Sequence, residues 1–169
     1  MLKKFVTAVF IFLSAGQIAP AQNQTDYFAH LQAEHQQVLQ KWLAKNGGMR
    51  PAVEADASKE DLEAWQRENR NFFPYYSVND FNQDGRQDFA VLLKIEKKAD
   101  EGAIVIFNAP FRSPRPAYYE RGVGVGQYYL EFMEDVRMLY FTKYETHGFY
   151  LKPKGEKYIA VYADEEKPQ

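Results

Sequence analysis

What limits the folding of this chain most is a succession of short aromatic and β-branched runs that begins after residue 72. They cover Pro74 to Val78, Asp88 to Ile95, Ala103 to Phe107, Gln127 to Met133, Val136 to Thr142, His147 to Lys152 and Lys157 to Ala163. Each has the length and composition of a strand, and short polar or glycine-containing turns separate several of them. Two stretches with helical spacing precede them. In the first, Thr25 can cap and Asp26 can sit in the first turn, while Phe28, Leu31, His35, Val38, Leu39, Trp42 and Leu43 recur on one face. Asn46-Gly47-Gly48 ends it, because glycine accepts the left-handed conformation of a helix C-terminus, and Pro51 discourages a restart. Ser58 with Asp61 three residues later forms a capping signature for a second helix from Lys59 to Asn69. Helices followed by consecutive strands predict an α+β fold. In that fold two N-terminal helices pack on one face of a mostly antiparallel sheet of about five to seven strands, in a single domain spanning residues 22–169. The two prolines of Arg112 to Pro116 predict an exposed loop there. The alternating glycines of Arg121 to Gly126 predict a mobile turn, and Glu165 to Gln169 a solvated tail.

The start of the chain has a different character. Lys3 and Lys4 precede an apolar segment, Phe5 to Leu13, interrupted only by Thr7, and Ala19-Pro20-Ala21 offers small residues for cleavage. This three-part pattern predicts a secretory signal peptide over residues 1–21 and a periplasmic or secreted product. The apolar segment is shorter than the ~20 residues a membrane-spanning helix needs, and no later run is long enough. Cleavage would remove Lys3 and Lys4, so the 21 basic residues fall to 19 while all 23 acidic ones remain, and the formal charge of the 148-residue remainder is −4. Lys and Arg are scattered among acids rather than gathered in a stripe, which argues against nucleic acid as a partner. The absence of cysteine excludes disulfides, thiolate metal sites, a thiol nucleophile and a lipid-bearing cysteine. Stability must come from elsewhere, and a bound metal ion is one source. Asn23-Gln24-Thr25 matches a glycosylation sequon, which matters only in a eukaryotic host.

One segment carries metal chemistry in its spacing. From Asp80 to Asp88, oxygen-bearing side chains fall at positions 1, 3, 5 and 9 of a loop, and Gly85 is at position 6. Calcium takes 6 to 8 oxygen ligands at about 2.3 to 2.6 Å. A sharp turn at Gly85 can aim Asp80, Asn82, Asp84 and Asp88 at one centre, with Arg86 offering its carbonyl and turning its side chain outward. An EF-hand would continue to a glutamate at position 12, but Val91 stands there inside the apolar run Phe89 to Leu93. With strand-like segments on both sides, residues Val78 to Leu93 resemble the Asp-x-Asn-x-Asp-Gly-x-x-Asp loops of FG-GAP and VCBS-type repeats, here in a single copy. The chain is also similar to small exported bacterial proteins of unassigned function that carry one such loop. The resemblance implies a structural calcium ion, and the single copy argues against a propeller. The alternative is a metal-free Asp/Asn/Gly turn whose carboxylates bond to local backbone amides. Two arguments oppose that alternative: three carboxylates within nine residues repel one another, and a simple turn has no task for an oxygen at position 9.

Other candidates are set against plainer roles. His30 and His35 are five apart, off the i, i+4 spacing of a helical zinc pair, and His35 falls on the apolar stripe as a packing residue. His147 beside Glu145 is a candidate general base, and Glu131, Glu134 and Asp135 supply the carboxylate pairs of a glycosidase or, more simply, solvated strand ends. The Arg121 to Gly126 segment lacks the spacing and context of a phosphate loop, although its glycines permit close approach by a ligand. Adjacent aromatic pairs at Tyr75-Tyr76, Tyr118-Tyr119, Tyr128-Tyr129 and Tyr140-Phe141 should each send one ring inward and one outward. The outward rings serve either sugar or protein contact, or cross-strand stacking. The sequence as a whole predicts an exported, calcium-binding, non-catalytic module with a protein or carbohydrate partner. A hydrolase of cell-wall or carbohydrate polymers and an inhibitor of a secreted or envelope enzyme are the alternatives.

Overall fold

The computed structural model describes residues 26–68, 73–126, 128–143 and 148–162. The segment read as a signal peptide, the sequon, the Thr25 cap, Glu145, His147 and the residues of the expected tail lie outside these. The helices are α1 (Ala33–Leu43) and α2 (Lys59–Glu68), with a single 3₁₀ turn at Glu54–Asp56 between them. The strands are β1 (Met49–Pro51), β2 (Tyr76–Asn79), β3 (Asp88–Ile95), β4 (Glu101–Phe107), β5 (Tyr118–Gly124), β6 (Tyr128–Met133), β7 (Met138–Lys143), β8 (Gly148–Lys154) and β9 (Lys157–Tyr162).

The expected α+β layout, with both helices on one face of one sheet, is not what forms. The protein is mainly β, with two antiparallel sheets. One contains β1 to β5, the other is the meander β6-β7-β8-β9. The reason lies in β3 and β4, whose apolar runs do not alternate with polar residues, so both faces of each strand must be covered. On one face, Ala90, Leu92, Ile104 and Ile106 share a cluster with Leu130, Leu139, Phe141, Phe149 and Leu151 of the second sheet. On the other, Phe89, Val91, Leu93, Val105 and Phe107 pack with Val38, Leu39 and Trp42 of α1. No residue of α2 enters that second cluster; its buried Trp65 instead meets Tyr129 of β6 edge-on, ring centroids 5.0 Å apart. Continuing the strands into a single sheet would have left the inner face of β3 and β4 exposed to water.

Both helices lie close to their expected places. α1 starts later than the apolar spacing suggests, because Asp26 Oδ1 accepts the Phe28 amide at 3.0 Å and the chain turns through residues 27–30 before Gln32 opens the helix. At α2 the Ser58 hydroxyl oxygen accepts the Asp61 amide at 3.1 Å, as the capping signature predicts. Two strands arise where none was expected. β1 is a three-residue segment, and β5 takes Tyr118–Gly124, so most of the stretch read as a mobile turn is a strand paired with β4.

β1 and β2 share one edge of β3. Met49, Arg50 and Pro51 face Ile95, Lys94 and Leu93, while Tyr76 to Asn79 face Val91 to Asp88. The two short strands meet at Leu92, whose carbonyl accepts the Ala52 amide and whose amide donates to the Tyr75 carbonyl, each at 2.9 Å. Beside this edge, Arg50 holds Asp56 through two hydrogen bonds of 2.7 and 2.8 Å, and Lys94 approaches the same carboxylate at 3.1 Å. Burial works to raise the Asp56 carboxyl, but the Arg50 bonds, the Val53 amide and Lys94 hold it below the ordinary range. Among the described residues, no helix is long and apolar enough to cross a membrane.

Candidate metal centre

The β2–β3 register brings Asn79 opposite Asp88, so the loop between them is the tip of an antiparallel pair. Its reversal uses two left-handed residues, Gln83 at φ 62° and Gly85 at φ 85°. A Cβ on Gly85 would meet nothing within 4 Å, so the requirement there is conformational rather than steric.

The loop's side-chain oxygens point inward onto its own backbone. Asp80 accepts the Asp84 amide through Oδ1 and the Gly85 amide through Oδ2, both at 2.9 Å. Asn82 Oδ1 also accepts the Asp84 amide, at 3.0 Å, and its Nδ2 donates to Asp84 Oδ2 at 3.3 Å. Asp84 Oδ1 accepts the Arg86 amide at 3.0 Å. Asp80, Asn82 and Asp84 are therefore grouped around a single backbone bend.

Asp88 closes the group from the first residue of β3 and is fully buried. Its Oδ1 accepts the Ala109 amide at 2.9 Å, and its Oδ2 accepts the Asn82 amide at 3.3 Å and lies 3.4 Å from the Tyr158 hydroxyl. Burial pushes its pKa up to about 6 despite the two amide bonds, and repulsion from Asp84 and Asp80 adds to the rise. Position 9 thus has a structural task after all, joining the loop to the segment after β4 and to β9. That link spans seventy residues, and no local pattern could have revealed it. No Lys or Arg side chain pairs with Asp88 among the described residues.

This donor set suits calcium in kind: three carboxylates, one amide oxygen and the Arg86 carbonyl are all hard oxygens. A carboxylate oxygen that accepts one amide retains a second lone-pair direction for a cation. The buried Asp88, repelled by two neighbouring carboxylates, is the group an ion would relieve most. Among the described residues, no three His, Cys, Asp or Glu side chains already form a cluster that could hold a metal. The loop carboxylates would have to draw together around an ion.

The remaining candidates are dispersed. Glu131 lies exposed on β6, Glu134 Oε1 accepts Asn79 Nδ2 at 3.3 Å, and Asp135 bonds to the Val136 amide beside it. His35 is buried against Phe89, centroids 4.1 Å apart, with Nδ1 2.6 Å from the Tyr76 hydroxyl. His30 precedes α1 and stacks on Phe73 at 4.4 Å. Of the aromatic pairs, Tyr75 is buried in the inter-sheet cluster while Tyr76 packs on the α1 side, and Tyr140 stacks across the strand on Tyr150 at 4.5 Å.

Two cavities adjoin these elements. A cleft of about 680 Å³ lies beside the loop and is lined by Asn82, Asp84 and Arg86, by the segment from Asn108 to Ala117, and by Glu156 and Lys157. A smaller cavity of about 250 Å³ is bordered by Gly122, Gly124, Tyr128 and Tyr162, among others. Neither is lined by Glu131, Glu134 or Asp135. The sequence singled out Arg86 for its carbonyl and Arg112 to Pro116 as an exposed loop, but not their meeting with Lys157 in one basic cleft. The chain matches no protein-family model, and neither the curated proteins nor the solved structures contain a match to it.

Proposed function

We propose that this is a small exported binding module stabilised by one calcium ion, without catalytic chemistry of its own, acting in the periplasm or outside the cell on a protein or carbohydrate partner. Calcium would be held by the side chains of Asp80, Asn82, Asp84 and Asp88 and by the carbonyl of Arg86. The observation that carries the reading is the buried Asp88 carboxylate, which is repelled by Asp84 and Asp80 and pairs with no basic side chain among the described residues. The loop's spacing, shared with FG-GAP and VCBS-type loops, supports it further.

A bound ion would fix the β2–β3 tip relative to the segment after β4 and to β9, since Asp88 is bonded to the first and lies against Tyr158 of the second. With the ~0.1 to 1 mM dissociation constants of extracellular modules, millimolar calcium adds about 0.4 to 1.4 kcal/mol of stability. For a chain of this length that corresponds to a rise of about 1 to 5 °C in melting temperature. Thermal unfolding with calcium, with magnesium and with chelator tests this. The wild type should gain stability from calcium, and Asp84→Ala should lose the response. A wild-type curve identical in calcium and chelator would end the proposal.

A further inference from the structure

The cleft beside the loop has a charge pattern that the calcium reading does not use. Its lining includes four basic side chains, Arg86, Arg112, Arg115 and Lys157, against two carboxylates, Asp84 and Glu156. This local excess of positive charge sits on a chain whose formal net charge is −2. All four basic residues are exposed, and none makes an ion pair among the described residues. In a protein with more acids than bases, four cations converging on one cleft without partners is a standing electrostatic attraction for an anion.

The walls are tied together. Asn108 Oδ1 accepts the Tyr158 hydroxyl at 2.9 Å and its Nδ2 donates to the Glu156 carbonyl at 3.4 Å, joining the segment after β4 to the β8–β9 turn. The Ala109 amide is held by Asp88 at 2.9 Å, and the Arg112 amide closes a turn on the Pro110 carbonyl at 2.7 Å. The arginines therefore project from an anchored frame. Guanidinium forks bind tetrahedral oxyanions through paired N–H bonds, and Ser113 adds a hydroxyl to the same lining.

We infer that this cleft is a binding site for a phosphate ester, in which Arg112 and Arg115 grip the phosphate and Arg86 and Lys157 add attraction from the facing walls. A dianion matches the excess of two positive charges, whereas a monocarboxylate would leave half of it unanswered. The cleft's volume exceeds that of a lone phosphate, so the group would be carried on a larger molecule such as a phosphorylated sugar. The four basic side chains attract an anion whether or not calcium occupies the neighbouring loop, with which the cleft shares Asp84.

The experiment is a calorimetric titration with glucose 6-phosphate, inorganic phosphate, glucose and acetate. It is run in resin-depleted buffer, because chelators are themselves polyanions and calcium precipitates phosphate. Glucose 6-phosphate and phosphate should bind, with glucose and acetate showing no heat of binding. Arg112→Ala with Arg115→Ala should weaken glucose 6-phosphate binding about tenfold or more, as expected for loss of charged hydrogen bonds. Lys41→Ala with Lys45→Ala, which removes the same charge from the end of α1 and the turn after it, should leave it unchanged. If the first double variant does not fold, Arg115→Ala with Lys157→Ala puts the same question. Absence of glucose 6-phosphate binding to the wild type, or equal weakening in the cleft variant and the Lys41/Lys45 variant, would overturn the site. Neither result bears on whether calcium shifts the melting curve.

Discussion

At the scale of single residues, the informative groups are polar side chains that burial has forced into specific partnerships. His35 is one. Burial lowers its pKa from 6.5 to about 4, so it stays neutral in the fold across mildly acidic conditions. The unfolded chain takes up the proton first, so stability falls as pH drops from about 6.5 towards about 4, by at most about 3 kcal/mol. Urea unfolding of the wild type and of His35→Phe between those pH values measures this component, which the variant should lack. Its neighbour Tyr76 ties it to the helix start. The hydroxyl accepts the Gln32 amide at 3.4 Å and shares a 2.6 Å hydrogen bond with Nδ1 of His35. Asp56 is a second case. Asp56→Asn would leave Arg50 and Lys94 without their shared carboxylate and should cost about 3 kcal/mol in equilibrium unfolding. An effect below about 0.5 kcal/mol, typical of exposed pairs, would show that the cluster is solvated.

Among the elements, glycines separate conformational from steric demands. Gly85→Ala meets no neighbour but must hold a left-handed backbone, which costs about 1 kcal/mol. A Cβ at Gly102 would lie 2.3 Å from both the Leu93 carbonyl oxygen and Val125 Cγ2, at the bulge between β4 and β5. Gly102→Ala should therefore cost more, about 2 to 3 kcal/mol, because backbone must move. Side-by-side chemical denaturation gives the order, and a reversed order would contradict the packing at that bulge. The same elements show what was legible in advance. α2, β3 and β4 announce themselves through a capping pair and dense apolar runs. β5 does not, because Glu120, Arg121, Gly122 and Gly124 carry little intrinsic strand preference, and its shape is imposed by pairing with β4.

For the whole molecule, the error in the expected architecture came from treating consecutive strands as one sheet. Strand spacing specifies how many strands there are and leaves open which ones pair, but the unbroken apolar runs of β3 and β4 already required a layer on each side. The Asp80 to Asp88 turn was legible as a local pattern, whereas its attachment through Asp88 to Ala109 and Tyr158, and the basic cleft beside it, arise only when distant segments meet.

The junction at Leu92 carries one last consequence. The chain leaves the β3 edge at Ala52 and rejoins it at Tyr75, so β3 serves as a splint holding two broken ends of a composite strand in line. A single proteolytic nick engineered into α2, between Glu63 and Ala64, should leave both fragments associated through β3 and co-eluting in native size exclusion, separating only in denaturant. Early dissociation would mean that the intervening excursion, rather than the splint, keeps the two ends in register.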